Sequence, residues 1–216
     1  MKKLTKNFLS DADREKIIDA VKNSEQLTSG EIVPMVVSAS YHYPMSNVIG
    51  GIAFALPLSL ILTYIIGGWL WIGTQNMWLF LGIMTILFIA FHQIVKLVLP
   101  LKRLFISRRE IDEEVEEAAL TGFFNKGLYR TRDETGILIF ISVFEHRAWI
   151  LADRGINESK GYWDEIVNII VDGIKQKNQA EAICRAVKKV GELLQEHFPI
   201  KSDDRDELKN LIVEGD

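Results

Sequence analysis

The chain has 216 residues, with 25 Lys plus Arg against 29 Asp plus Glu, and none of the 64 residues between Glu31 and Lys96 is Asp, Glu, Lys or Arg. The 54 charged residues therefore fill about 36% of the remaining 152 positions, where about a quarter is usual. That division excludes a purely soluble enzyme, and it excludes a channel or transporter of ordinary size, because the neutral stretch has room for only two spans of about 20 residues.

In chain order, Met1-Lys2-Lys3 begins like a secretory signal. The residues that follow include Asp11, Asp13, Arg14, Glu15 and Lys16 and no apolar core, so no signal peptide is expected. Ser10 and Asp13 have the spacing of a capping box, and Ile17, Ile18 and Val21 then recur at helical spacing, which predicts a helix over about 11–24. Thr28-Ser29-Gly30 turns the chain, and the Val- and Ile-rich run 31–40 reads as a strand. Pro34 removes one ladder donor and is expected at an edge or a bulge.

Residues 48–66 and 77–99 are each long and apolar enough to cross a bilayer as a helix. Trp69, Trp71 and Trp78 surround the turn 73–76, where amphipathic rings favour the headgroup level. Pro57 should bend the first span, with Ser59 and Thr63 as candidates to satisfy the freed carbonyl. Lys96, Lys102, Arg103, Arg108 and Arg109 carry no acidic residue among them, whereas the turn is uncharged. The positive-inside rule then places both termini in the cytosol, at the cell membrane, with these five side chains along the lipid surface at about 1 kcal/mol each. His92, one turn before Lys96, reads as a polar contact near the interface.

After the hairpin, Ile111, Val115, Ala118 and Gly122 keep helical spacing while Glu113, Glu114, Glu116 and Glu117 crowd the other side. That acidic face is either simply solvated or a surface where a partner docks. Residues 136–144 form an unbroken apolar run, expected as a strand covered on both faces. A Glu145-His146 turn joins it to a second strand, which Asp153-Arg154-Gly155 ends. Two helices follow, one through Trp163, Ile166, Val167, Ile170 and Ile174, the other through Ile183, Val187, Val190 and Leu194, stopping at His197-Phe198-Pro199. The tail from Ser202 is acidic, with room for a short helix around Leu208, Leu211 and Ile212. Cys184, the single cysteine, excludes an intrachain disulfide and fits a reducing compartment, as a small apolar helix residue.

The first flank holds one strand and cannot fold alone. One α/β domain must therefore close across the hairpin: parts 5–47 and 100–200 around the hairpin 48–99, with the tail 201–216. The expected fold is a small three-layer sandwich with a mixed sheet, interrupted by two transmembrane helices.

Four short stretches carry a family likeness: Thr28-Ser29-Gly30-Glu31-Ile32, Thr135-Gly136-Ile137-Leu138-Ile139, Asp153-Arg154-Gly155-Ile156 and Phe198-Pro199. With them the chain resembles the TPM domain family, named for a thylakoid lumen protein, the photosystem II repair factor and a nematode receptor modulator, over about residues 5–47 and 107–200. With its internal hairpin it is similar to the multi-pass bacterial branch. The resemblance implies the fold, and it implies either of two roles: acid phosphatase activity, attributed to a plant member, or service in membrane-protein repair, assembly or regulation.

Phosphate-ester hydrolysis needs a nucleophile or metal-bound water together with positive charge. No Gly-rich phosphate loop, Cys-x5-Arg, H-E-x-x-H or His/Cys metal spacing is present. Glu31, Glu145 and Asp153, at strand ends and turns, are candidate oxygen ligands for Ca²⁺ or Mg²⁺. Equally, Asp153-x-Gly155 is a turn with Gly at positive φ, and Glu145-His146 a polar hairpin tip. The leading expectation is a cytosol-facing, membrane-anchored binding or adaptor module whose partners are the lipid bilayer and membrane proteins. A weak divalent-metal-assisted phosphatase is the alternative. The short basic cluster abutting a span, in an acidic chain, argues against nucleic acid, and oligomeric state is left open.

Overall fold

A computed structural model describes residues 4–156, 160–200 and 207–214. The chain divides into two compact units, one of residues 1–41 and 112–216 and one of residues 42–111.

The first unit opens with α1 (Leu4–Phe8) and α2 (Asp11–Glu25), followed by β1 (Glu31–Val37). The Ser10 capping box forms as the sequence predicts: the Ser10 hydroxyl accepts the Asp13 N–H, and the Asp13 carboxylate accepts the Ser10 N–H. After the second unit come α6 (Arg108–Asn125), a short 3-10 turn (Leu128–Arg130), β2 (Gly136–Ser142), β3 (Arg147–Ala152), α7 (Lys160–Lys175), α8 (Gln179–His197) and β4 (Ile212–Glu214). The helices α3 (Pro44–Trp69), α4 (Met77–Leu97) and α5 (Leu99–Arg103) belong to the second unit.

The four strands form one mixed sheet in the order β3-β2-β1-β4. β1 runs parallel to β2 with Glu31 opposite Gly136 and Val37 opposite Ser142, and β2 is antiparallel to β3. Strand alternation sorts the side chains into two layers. Ile32, Val36, Ile137, Ile139, Ile141, Ala148 and Ile150 meet Ile17 and Val21 of α2, Ile166 and Ile170 of α7, and Ile183, Val187, Val190 and Leu194 of α8. On the opposite face α6 lies close enough that a side chain at Gly122 would meet Met35 Sδ at 3.0 Å, and Val115, Ala119 and Phe123 are buried. The three-layer α/β architecture is thus present, and β2 is buried at all seven positions.

β1 lies between β2 and β4, yet among the described residues β4 pairs only with Met35–Val37, so Pro34 stands where β1 is locally an edge and its missing N–H breaks no ladder bond, as the sequence leads one to expect. One strand expectation is corrected. The tail forms no helix at Leu211 and Ile212: Ile212–Glu214 add as a parallel strand on Met35–Val37, because that edge of β1 offers unpaired backbone groups. Residues 201–206 of the expected acidic tail, and Met1-Lys2-Lys3, lie outside the described residues.

The second unit is an antiparallel pair of long helices. The buried positions of α3 include Asn47, Gly51, Ala55, Ser59, Thr63 and Gly67, a ladder with a step of four. Small side chains let the backbones approach: a Cβ on Gly51 would lie 3.1 Å from the Phe88 ring of α4, and one on Gly67 would run into the Gly73 carbonyl. Ile49, Ile52, Leu56, Leu60, Ile61 and Ile65 are exposed on the outside. Ser59 and Thr63 do not serve the carbonyl that Pro57 frees. They donate to Leu56 O at 2.8 Å and Ser59 O at 2.7 Å, because a helical hydroxyl reaches back only three or four residues and Ala53 is out of range of both.

Candidate functional site

The four stretches that carry the family likeness converge at one end of the sheet of the first unit. Thr28 forms a bridge with Pro199, its hydroxyl donates to Phe198 O at 2.6 Å, and the Ser29 N–H donates to the same carbonyl at 3.0 Å. The Thr135 hydroxyl donates to Ser29 O at 3.2 Å, and the Glu31 N–H to Thr135 O at 3.3 Å. Asp153 N–H donates to Gly136 O at 2.9 Å. Glu31 and Asp153 therefore flank Gly136 from the two neighbouring strands and share its face of the sheet.

Asp153-Arg154-Gly155-Ile156 is a turn, closed by the Ile156 N–H on Asp153 O at 3.0 Å. One carboxylate oxygen of Asp153 accepts the Arg154 N–H at 2.8 Å; the other, Oδ2, is buried with no hydrogen-bond partner, as is the Ser29 hydroxyl. The role of Gly155 differs from the expectation. Its φ is not positive; the position needs hydrogen instead of carbon, since a Cβ would sit 2.6 Å from Glu134 O and 2.9 Å from Asp133 O. The positive φ belongs to Glu134, at 56°, whose carboxylate takes the Arg154 guanidinium at 2.6 Å.

The candidate trio Glu31, Glu145 and Asp153 does not form one cage. Glu145 follows Ser142 at the far end of β2, a seven-residue strand and so about 20 Å from Gly136. Glu31 and Asp153 share an end, but the carbonyl of Leu128 stands over Gly136 between them, 2.5 Å from where a Cβ would be. Among the described residues no group of three His, Cys, Asp or Glu is placed to hold a metal. Six or more oxygen ligands are usual for Ca²⁺ and octahedral oxygens for Mg²⁺, and this arrangement does not fit either ion. Nor is Glu145 a polar hairpin tip. It is fully buried, with its oxygens on the Ser40 N–H and the Ser142 hydroxyl.

The other candidate surfaces are placed as follows. Of the basic set, Lys96, Arg108 and Arg109 are exposed and Arg103 is half-buried. Lys102 is corrected: it is buried, and its ammonium donates to the His42 carbonyl, so it secures the start of α3 within the second unit instead of facing lipid. On α6, Glu113, Glu116 and Glu117 are exposed and Glu114 is partly buried. Sequence reading missed the continuation of this face, where Leu120 and Phe124 are exposed and the Phe124 ring lies 5.5 Å from that of Tyr129. The signal was the Phe123-Phe124 doublet, since adjacent helical residues cannot share a face; Phe123 is the buried one.

Residues 100–193 match the family model of the TPM domain, the family that the motifs resemble; the stretches at 135–139 and 153–156 fall inside the match. The match starts after the long helices, while β1, which precedes them, and β4, which follows the match, complete the sheet. The NMR structure of the BA42 protein from the psychrophilic bacterium Bizionia argentinensis is similar over 95% of this chain and 94% of its own, at 23% sequence identity and a TM-score of 0.57. That likeness is one of fold. No curated protein matches the chain.

Proposed function

We infer that the protein is a membrane-anchored, cytosol-facing binding module that serves the assembly, repair or regulation of membrane proteins, with both termini in the cytosol. The observation that carries the anchoring is the inverted packing of the second unit. A helix pair in water buries its large apolar residues and exposes its small and polar ones. Here the Gly51, Ala55, Ser59, Thr63 ladder is inside, and the Leu and Ile side chains face out. Between lipid-exposed helices, small residues give close backbone packing and hydroxyls bond within the pair. Only 28% of the most apolar window of α3 and 6% of that of α4 is buried, too little for core helices of a soluble protein. Trp69, Trp71 and Trp78, 77–94% exposed around the connecting turn, suit the headgroup level.

The binding role is supported by the TPM domain itself and by the outer face of α6, where Glu113, Glu116 and Glu117 lead into exposed Leu120 and Phe124. A photocrosslinking residue at Glu116 or Phe124, in intact membranes, should capture a membrane protein. Crosslinks to lipid alone, or none, would overturn the adaptor reading.

A further inference from the structure

At the end of the second long helix the usual sorting of side chains is reversed. α4 stops at Leu97, Val98 is extended at φ −94° and ψ 91°, and α5 begins anew after it. The segment is held against α3: the ring of Phe105 meets that of Phe54 edge-on, 5.8 Å between centroids, and a Cβ on Gly50 would lie 2.8 Å from Phe105. The lysine of this segment is inside. Lys102 is 3% exposed and its ammonium donates to the His42 carbonyl. The leucines are outside, with Leu97 and Leu104 each 77% exposed and Pro100 exposed between them. A surface in water sorts lysine and leucine the other way. Exposed Lys96 and Arg108 stand at the two ends of the segment. Within residues 42–111 all the Lys and Arg, namely Lys96, Lys102, Arg103, Arg108 and Arg109, come after residue 95, and Glu110 is the sole carboxylate.

We propose that residues 96–108 form a seat for anionic glycerophospholipids, so that the anchor selects headgroups as well as hydrocarbon. Leu97 and Leu104 enter the acyl chains just beneath the headgroups, and Lys96 and Arg108 take the phosphodiester oxygens above them. Interfacial segments bind through this combination of buried apolar area and attraction to anionic lipid. A zwitterionic headgroup offers the same hydrocarbon but brings an ammonium of its own, which the two cations repel. The turn 73–76 at the other end of the hairpin carries no charge, so the selection belongs to one leaflet. This inference rests on the anchoring reading of the hairpin. It replaces a general attraction of five surface cations with a seat built from two cations and two leucines.

The test places the full chain, with Cys184→Ser and a fluorescent probe on Leu104→Cys, in vesicles that mix phosphatidylcholine with phosphatidylglycerol, one of the two lipids carrying bromine as a quencher. At low salt, brominated phosphatidylglycerol should quench the probe about fivefold more effectively than brominated phosphatidylcholine. Added salt should shrink that preference. Lys96→Gln together with Arg108→Gln should abolish it while both lipids still quench. A probe on Ile61→Cys, exposed on the outer side of α3, should be quenched alike by the two lipids. Equal quenching by both lipids at Leu104, or none there, overturns the proposal. If Ile61 is quenched in that case, the anchoring stands without the seat; if neither position is quenched, the anchoring reading itself fails. A preference that survives in the double variant gives the selection to other residues and overturns the seat as well.

Discussion

Glu145 Oε1 accepts the backbone N–H of Ser40 at 2.9 Å, across 105 positions of sequence. The same carboxylate takes the Ser142 hydroxyl on its other oxygen, and the side chain is wholly out of solvent. Phe144 N–H and Val143 N–H donate to Ser38 O and Val37 O, each at 3.0 Å. The turn between β2 and β3 thereby holds the stretch by which the chain leaves β1 for the long helices.

Glu145→Ala strands two buried polar groups, each costing about 1–3 kcal/mol when unsatisfied. Thermal unfolding of the first unit should drop accordingly, while Glu145→Gln, which still offers Ser40 an acceptor, should lose less. Equal stability of the alanine variant and the parent would contradict the assigned role.

Gly136→Ala should destabilise by about 1–3 kcal/mol, the range for overpacking a tight site, since its Cβ would lie 2.5 Å from the Leu128 carbonyl. Gly82→Ala, where a Cβ meets nothing within 4 Å, is the control and should melt like the parent. Denaturant midpoints of both variants check the contrast.

The cap on α2 gives a pH dependence. Hydrogen bonds from the Ser10 hydroxyl, then its N–H, hold the Asp13 carboxyl below its ordinary value of 3.8. The carboxylate's contribution is therefore complete above that value and is lost as pH falls through the lowered one. Ser10→Ala should cost about 1 kcal/mol at neutral pH, and the gap between variant and parent should narrow below pH 3.8. A gap that stays constant to pH 2 would rule the coupling out.

Cys184 should label slowly. Burial, followed by the Glu181 charge, pushes its thiol above the ordinary 9.0, and the thiolate is the nucleophile. Iodoacetamide at pH 7.5 should react more slowly than with a free thiol, with the midpoint of the pH–rate curve above 9.0. Glu181→Gln should speed labelling; a faster reaction in the parent than with free thiol would contradict the environment described.

Much of the fold was written locally. The Ser10–Asp13 box, the continuous apolar run of β2 and the 3.6-residue spacing of α7 and α8 are short-range patterns, and each forms as read. Positions decided by long-range packing were not legible. Asp153 and Glu145 look alike as acidic residues at turns, yet one keeps an unpartnered buried oxygen and the other is saturated from 105 residues away. Lys102 reads as one of five surface cations until the His42 carbonyl claims it. Gly155 suggests a left-handed turn, whereas its neighbours simply leave no room for a carbon. Three-residue β4 was invisible because strand addition depends on the free edge it meets more than on its own sequence.

The proposed placement of α3 and α4 across a bilayer is tested most directly by labelling a cysteine at Thr74, in a Cys184→Ser background, with a membrane-impermeant maleimide on intact cells, with epitope tags at either terminus probed by external protease. The account predicts that the Thr74 position labels and that both tags stay protected. Protected Thr74 with accessible tags would reverse the topology, and a chain recovered entirely in the soluble fraction would contradict the anchoring itself.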